Sequence, residues 1–264
     1  MKKLILGAVA ATAVIAGGCG GSSGGSSSTT VSTTASTTSS ASSGAASSLA
    51  PVGGGYSVSI DPANFVAVVD NPYLPFKPGT GLHYRGVAEN GTTPQTDDEV
   101  VTHQTKTIQG VRCTVVRDSV FERGKPVERT FDWYAQDKHG NVWYFGEDAR
   151  DYKNGRFVKA PDSWQAGVSD AQPGIIMPGA PRTGEAYRQE YYPGHAMDQA
   201  RVLGAKGTAR VPAGTYTNPL VTLETTTLEP GVAEQKLNAR GIGVVEERVV
   251  QGNQERFELV SVTH

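Results

Sequence analysis

Four short motifs occur twice in this chain, in the same order and about 100 residues apart. Pro78-Gly-Thr-Gly-Leu-His-Tyr84-Arg85 returns as Pro181-Arg-Thr-Gly-Glu-Ala-Tyr187-Arg188. Ile108 to Val116 has a looser counterpart in Val211 to Val221, and the turn at Arg123-Gly124 corresponds to Pro230-Gly231. Tyr152 to Phe157, centred on Asn154-Gly155, matches Val250 to Phe257 with its Gly252-Asn253. A shared order is far harder to reach by chance than any single match. The chain therefore reads as an internal duplication, with like halves at about 78–172 and 181–264. Whatever one half folds into, the other should repeat.

Each half has the period of a strand. Phe131, Trp133 and Ala135 alternate with Asp132, Tyr134 and Gln136, the two-residue repeat of a half-buried strand. Asp137 to Asn141 reads as a turn, and Val142 to Phe145 returns. Asn154-Gly155 and Gly252-Asn253 are hairpin signals, because both residue types tolerate positive φ. Residues 100–108, 114–121, 222–228, 244–250 and 256–262 supply more β-rich runs, whereas Ser163 to Ala171 has room for one helical turn at most. Five or six strands per half make about ten to twelve, too many to stay flat. The predicted fold is all-β: an antiparallel meander of two duplicated halves curled into a half-barrel or barrel, with a two-sheet sandwich as the alternative. Asn71 to Pro78 is apolar and proline-spaced, and is expected to run extended along the core. Pro173 to Pro181 joins the halves and is too apolar for a solvated linker, so it should cross the sheet or plug an open end. With no flexible joint, residues 56–264 are expected to form a single β domain.

What precedes that body is of another kind. From Leu4 to Ile60 there is no charged residue. Met1-Lys2-Lys3 followed by 13 uncharged, largely apolar residues, Leu4 to Ala16, fits a signal peptide over 1–18 and is short for a membrane span. Ile15-Ala16-Gly17-Gly18-Cys19 resembles bacterial lipoprotein signals, although Ala16 stands where that class usually has Leu. The resemblance implies that the Cys19 thiol receives a diacylglycerol and becomes a palmitate-type membrane anchor. The protein would then be held on the cell membrane, facing the extracytoplasmic side. The Gly/Ser/Thr-rich segment after Cys19, to residue 55, has little to bury and should be a disordered tether, with a typical reach of about 30–35 Å. The 209 residues that follow carry 22 Lys+Arg against 26 Asp+Glu. Such a mildly acidic body argues against nucleic acid as a partner, and it is large enough to build a core without disulfides.

Within the body, Asp70-Asn-Pro-Tyr-Leu-Pro-Phe-Lys-Pro-Gly79, Asp132 to Gly146 and Tyr187-Arg-Gln-Glu-Tyr-Tyr-Pro-Gly194 resemble a family of secreted bacterial lipoproteins. The likeness covers nearly all of residues 56–264 and brings no assigned activity with it. A looser, purely architectural likeness is to the half-barrels of periplasmic lipoprotein carriers, which hold acyl chains on a concave face.

Patterns that would carry catalysis are sparse. His83, His103, His139, His195 and His264 have no zinc-type spacing, and no nucleophile elbow or phosphate loop is present, so neither metal nor cofactor is expected. Cys113 alternates within a strand and reads as a buried thiol. Glu147, Asp148 and Asp151 follow an aromatic strand, and Glu190 sits among Tyr187, Arg188, Tyr191 and Tyr192. Acids beside aromatics could form an envelope carbohydrate hydrolase, with Glu147 and Glu190 as the pair. The preferred reading is not an enzyme but a binder of an apolar or amphiphilic ligand on the inner face of the curled sheet. Phe131, Trp133, Trp143 and Phe145 would line that face, with Arg188, Glu190 and Tyr191 near its mouth. A structural or adaptor lipoprotein meeting another envelope protein is the remaining alternative.

Overall fold

The computed structural model describes residues 50–264; the leader, Cys19 and the tether up to residue 49 lie outside the described residues. A 3-10 turn at Pro62–Asn64 opens the element order, capped by Asp61, whose side chain accepts from the Ala63 N–H. Three short strands follow: β1 (Phe65–Val66), β2 (Val69–Asn71) and β3 (Leu74–Phe76). The first half continues with β4 (Gly81–Val87), β5 (Pro94–Ile108), β6 (Val111–Glu122), β7 (Lys125–Asp137), β8 (Val142–Glu147), β9 (Arg150–Lys153), β10 (Arg156–Lys159) and β11 (Trp164–Gln165). Then come β12 (Gln172–Met177), β13 (Ala186–Arg188), β14 (Glu190–Tyr191), β15 (Asp198–Ala205), β16 (Thr208–Val211) and β17 (Gly214–Thr217). The last four are β18 (Leu220–Thr226), β19 (Ala233–Ala239), β20 (Gly243–Gln251) and β21 (Arg256–Thr263).

The all-β reading holds, and the sheet curls until it nearly meets itself. Strands β4 to β8 pair in sequence, as do β15, β18, β19, β20 and β21. Seven residue pairs between β21 and β4 join the two runs into one sheet, so the sandwich alternative does not apply. At the other end β8 pairs with β12, and β13 with β15. The gap left between β12 and β14 is crossed by two pairs, Gln172 with Tyr191 and Pro173 with Glu190. The result is a barrel with one thinly sealed seam. Pairing its long edges removes most of the unpaired backbone an open sheet of this size would carry.

Turn chemistry follows the sequence. Asn154 and Gly155 take φ of 52° and 81°, both left-handed, and fold β9 back on β10. The two apolar segments behave differently from expectation. Asn71 to Phe76 is no extended run: the Asn71 side chain accepts from the Tyr73 and Leu74 N–H groups and closes a β2–β3 hairpin. Gln172 to Met177 is no plug but the barrel strand β12, because Ile175, Ile176 and Met177 pack as β residues beside β8. Ser163 to Ala171 holds the two-residue strand β11 and turns instead of a helical turn.

The larger correction concerns which face is inside. Tyr134 on β7 stacks on Phe76 and on Tyr144, with ring centroids 4.6 and 4.9 Å apart. It shares a small cavity with Glu99, Glu224, Lys236 and Val244 from other walls of the barrel. The interior face of β7 is therefore Glu128, Thr130, Asp132, Tyr134 and Gln136, all buried. Phe131, Trp133 and Ala135 face outward. There Phe65 packs edge-on against Trp143 and Phe145, and Val58 and Ile60 pack against the same cluster. The segment before β1 thus builds a second apolar layer outside the sheet.

Candidate functional site

Three places could host chemistry: the barrel interior, the seam, and a cleft on the outer face. The interior is crowded with carboxylates. Lys236 Nζ lies 3.2 Å from Glu224, 3.6 Å from Glu247 and 4.0 Å from Glu234. Strand pairing makes this unavoidable, since Lys236 is opposite Thr222 on one side and Glu247 on the other. Burial pushes the Glu234 carboxyl well above the usual range, and Glu247 pushes it the same way. The cavity beside this group is about 40 Å³, enough for about one water and far too small for an acyl chain.

Glu147 joins the interior through a bulge. Asp132 pairs with Glu147 while Tyr134 pairs with Tyr144, so β8 carries one residue more than β7 between those pairs. Gly146 supplies the extra residue at φ 117°, and a Cβ there would fall 2.4 Å from the Trp164 carbonyl oxygen. Strict alternation places Glu147 beside Phe145; the bulge puts it on the face of Tyr144 and Asp132 instead. Burial drives its carboxyl well above the usual range, and Asp132, Glu190, Asp162 and Glu128 add to the effect. The surrounding polar atoms are engaged: Tyr144 donates to Asp132 at 2.7 Å, and the Trp164 indole N–H donates to Glu190 at 3.0 Å.

At the seam, Arg188 is occupied by the chain's own start. Its guanidinium donates to the carbonyls of Pro51, Val52 and Gly54, and its backbone N–H donates to Ala50. Tyr56 donates to the Pro173 carbonyl on β12 and meets Tyr191 edge-on at 5.4 Å. Residues 50–56 therefore strap β12 to β13 and β14 across the gap. Close approach completes the joint: a Cβ on Gly174 would sit 2.4 Å from the Gln189 carbonyl carbon.

The cleft is the roomy site, with a volume of about 560 Å³. Its walls come from the β5, β7 and β8 to β11 region, and Tyr192 closes one side. Lys106 Nζ stands 3.2 Å above the Trp133 ring. Asp148 accepts from Arg150 Nε and Nη2 at 3.1 and 2.7 Å, and Lys159 pairs with Arg150 across the β9–β10 hairpin. Ser163, Gln165 and Ser169 add polar groups, and Val168, 52% exposed, adds an apolar one.

Of the residues singled out from sequence, Trp133, Glu147 and Asp148 line this cleft; Glu190 meets it through Trp164. Trp143 donates its indole N–H to Asp137 and, with Phe145, fills the outer apolar layer. Arg188 and Tyr191 belong to the seam. Lys106, Arg150, Lys159 and Trp164 were invisible to sequence reasoning, since isolated lysines and arginines at strand ends carry no spacing signal. Cys113 is a free buried thiol, which burial pushes up to about 12. Among the described residues no group of His, Cys, Asp and Glu could hold a metal ion.

No protein-family model matches the chain, and no curated protein matches it. Among solved structures it is similar to a Bacteroides fragilis protein assigned as exported with a YmcC-like fold. The identity is 13% and the TM-score 0.44, covering 73% of this chain and 99% of that one. It is also similar to a Parabacteroides distasonis protein assigned as a lipoprotein, at 10% identity and a TM-score of 0.40, with the same coverage. Neither likeness bears on activity.

Proposed function

We propose that this protein is a lipid-anchored extracytoplasmic binding protein, and that its small amphiphilic ligand sits in the outer cleft beside Trp133. One observation carries the reading: the outer cleft has about 560 Å³ of space, and the interior cavity beside Lys236 about 40 Å³. Ligand sites are concave, with apolar walls and a few placed polar groups, and the cleft combines Trp133, Trp164 and Val168 with polar side chains in this way. The anchor rests on Cys19 and the small residues before it. Glu147, which lines the cleft, and Glu190, the pair a glycan hydrolase would use, are only 7% and 5% exposed, which favours binding over catalysis.

The test uses the full chain with Cys19→Ser, which is expected to leave the membrane fraction and remain folded. Native mass spectrometry of that protein from a bacterial host should find a bound small molecule. Gln165→Trp, placing a large ring in the cleft, should abolish it. A ligand retained in Gln165→Trp at the parent level, or Cys19→Ser protein that still sediments with membranes, would refute the corresponding half of the reading.

A further inference from the structure

Charge in the cleft is unbalanced, and the imbalance says what the ligand carries. Lys106, Arg150 and Lys159 bring three cations to the lining, against two carboxylates, Asp148 and Glu147. Asp148 is already held by Arg150 through two hydrogen bonds to a single oxygen. Among the described residues neither Lys106 nor Lys159 makes an ion pair; the Lys106 ammonium meets only the face of Trp133. Glu147 also lines the cleft, but its side chain is buried against Asp132, it makes no ion pair with either lysine among the described residues, and burial holds its carboxyl well above the usual range. Two ammonium groups that make no ion pair share one concave wall with an indole.

We propose that the cleft binds an oxyanion, a phosphate or carboxylate group held between Lys106 and Lys159, with the rest of the ligand lying along Trp133 and Val168. This rests on the cleft being the binding site. The geometry favours an anion because an oxyanion can accept from both ammonium groups at once, giving charge-assisted hydrogen bonds stronger than neutral ones. Arg150 commits its Nε and Nη2 to Asp148, which fixes its place in the wall, and the two lysines, which make no ion pair, supply ammonium donors beside it. Burial lowers the Lys106 pKa, Asp148 and Cys113 counter it, and Lys159 lowers it further, so an arriving anion relieves a repulsion already present. Val168 and the exposed parts of the Trp133 ring and lysine stems accept apolar contact beside the ammonium groups.

Titration calorimetry on the full chain carrying Cys19→Ser, at low and at physiological salt, tests this with four probes: phenyl phosphate, benzoate, benzyl alcohol and inorganic phosphate. Phenyl phosphate or benzoate should bind at least about tenfold more tightly than benzyl alcohol, and more weakly as salt rises. Lys106→Gln with Lys159→Gln should remove that advantage while leaving the unfolding midpoint within a degree or two, since both lysines are cleft-facing and unpaired. Inorganic phosphate binding as well as phenyl phosphate would assign the site to a free anion; phenyl phosphate alone would assign it to the headgroup of a larger amphiphile. Equal binding of benzyl alcohol and phenyl phosphate would overturn the oxyanion and leave the cleft standing. An unaffected double variant would do the same. Binding by none of the four would remove both readings.

Discussion

The two faces of the β7–β8 sheet bury similar numbers of side chains by opposite means. Outside, Trp143 and Phe145 are covered by Phe65, with Val58 and Ile60 packed against the same cluster, and the driving force is removal of apolar surface from water. Inside, Glu128, Asp132 and Glu147 on the same strands face a polar core where each charge must find a proton, a hydrogen bond or Lys236. The outer layer tolerates approximate packing. The inner one depends on complete pairing, because a buried carboxylate without compensation costs several kcal/mol. The difference also bears on where space is left: the cleft of about 560 Å³ opens where β5 and β7 meet the β9–β10 hairpin, whereas the cavity beside Lys236 is about 40 Å³.

The inner face should break first. Lys236→Met leaves Glu224, Glu234 and Glu247 without their cation and is expected to cost about 3–5 kcal/mol in denaturant unfolding. Adding Glu224→Gln should recover part of that loss, since the two sites are in contact. The seam comes next. Arg188→Ala removes three hydrogen bonds to the strap and should cost about 2 kcal/mol, with faster proteolysis around residues 50–56. If Arg188→Ala leaves proteolysis unchanged, the strap does not hold the seam. Phe65→Ala, which uncovers part of the outer layer, should cost a similar or slightly smaller amount, about 2 kcal/mol for a half-buried ring.

The smallest effect separates the faces by pH. Glu147 and Glu234 hold their protons more tightly in the folded protein than in the unfolded chain. Between the unfolded carboxylate value, about 4.5, and the raised folded values, the native state binds more protons, so stability falls as pH rises. The thermal midpoint should therefore decline from pH 5 toward pH 8. Glu147→Gln should flatten that slope by an amount worth about 1.4 kcal/mol per unit of pKa shift removed. Phe65→Ala should lower the whole curve without changing its slope. Parallel slopes in wild type and Glu147→Gln would show that Glu147 does not hold the extra proton.

The repeated motif shows how far a local pattern reaches. Tyr84-Arg85 on β4 and Tyr187-Arg188 on β13 both bury the tyrosine, to 2% and 0% exposure. Their arginines part company. Arg85 is exposed and reaches Glu258 only at 3.9 Å, on a strand paired over seven residues on each side. Arg188 is buried because its strand is three residues long and borders the seam, where the strap covers it. Identical letters took different roles because their neighbours in space differ, so Arg188 was legible as a special residue but not as a clamp.

Strand positions, hairpin turns and the all-β class were determined by the sequence itself, because period and turn propensity are local: Asn154-Gly155 needs no distant partner to reverse a chain. The lipoprotein signal proposed around Cys19 rests on an equally local pattern. Tertiary structure alone decided which side of Phe131 to Gln136 became the interior, since alternation marks two faces without naming the inner one. It also decided that Gly146 would shift Glu147 from one face to the other, and that Asn71 to Phe76 would fold inward as a hairpin. Above all it brought Lys106, Trp133, Arg150 and Lys159 to one wall. Those residues are up to 53 positions apart, and only closure of the sheet, with its long-range pairings, sets the distances between them.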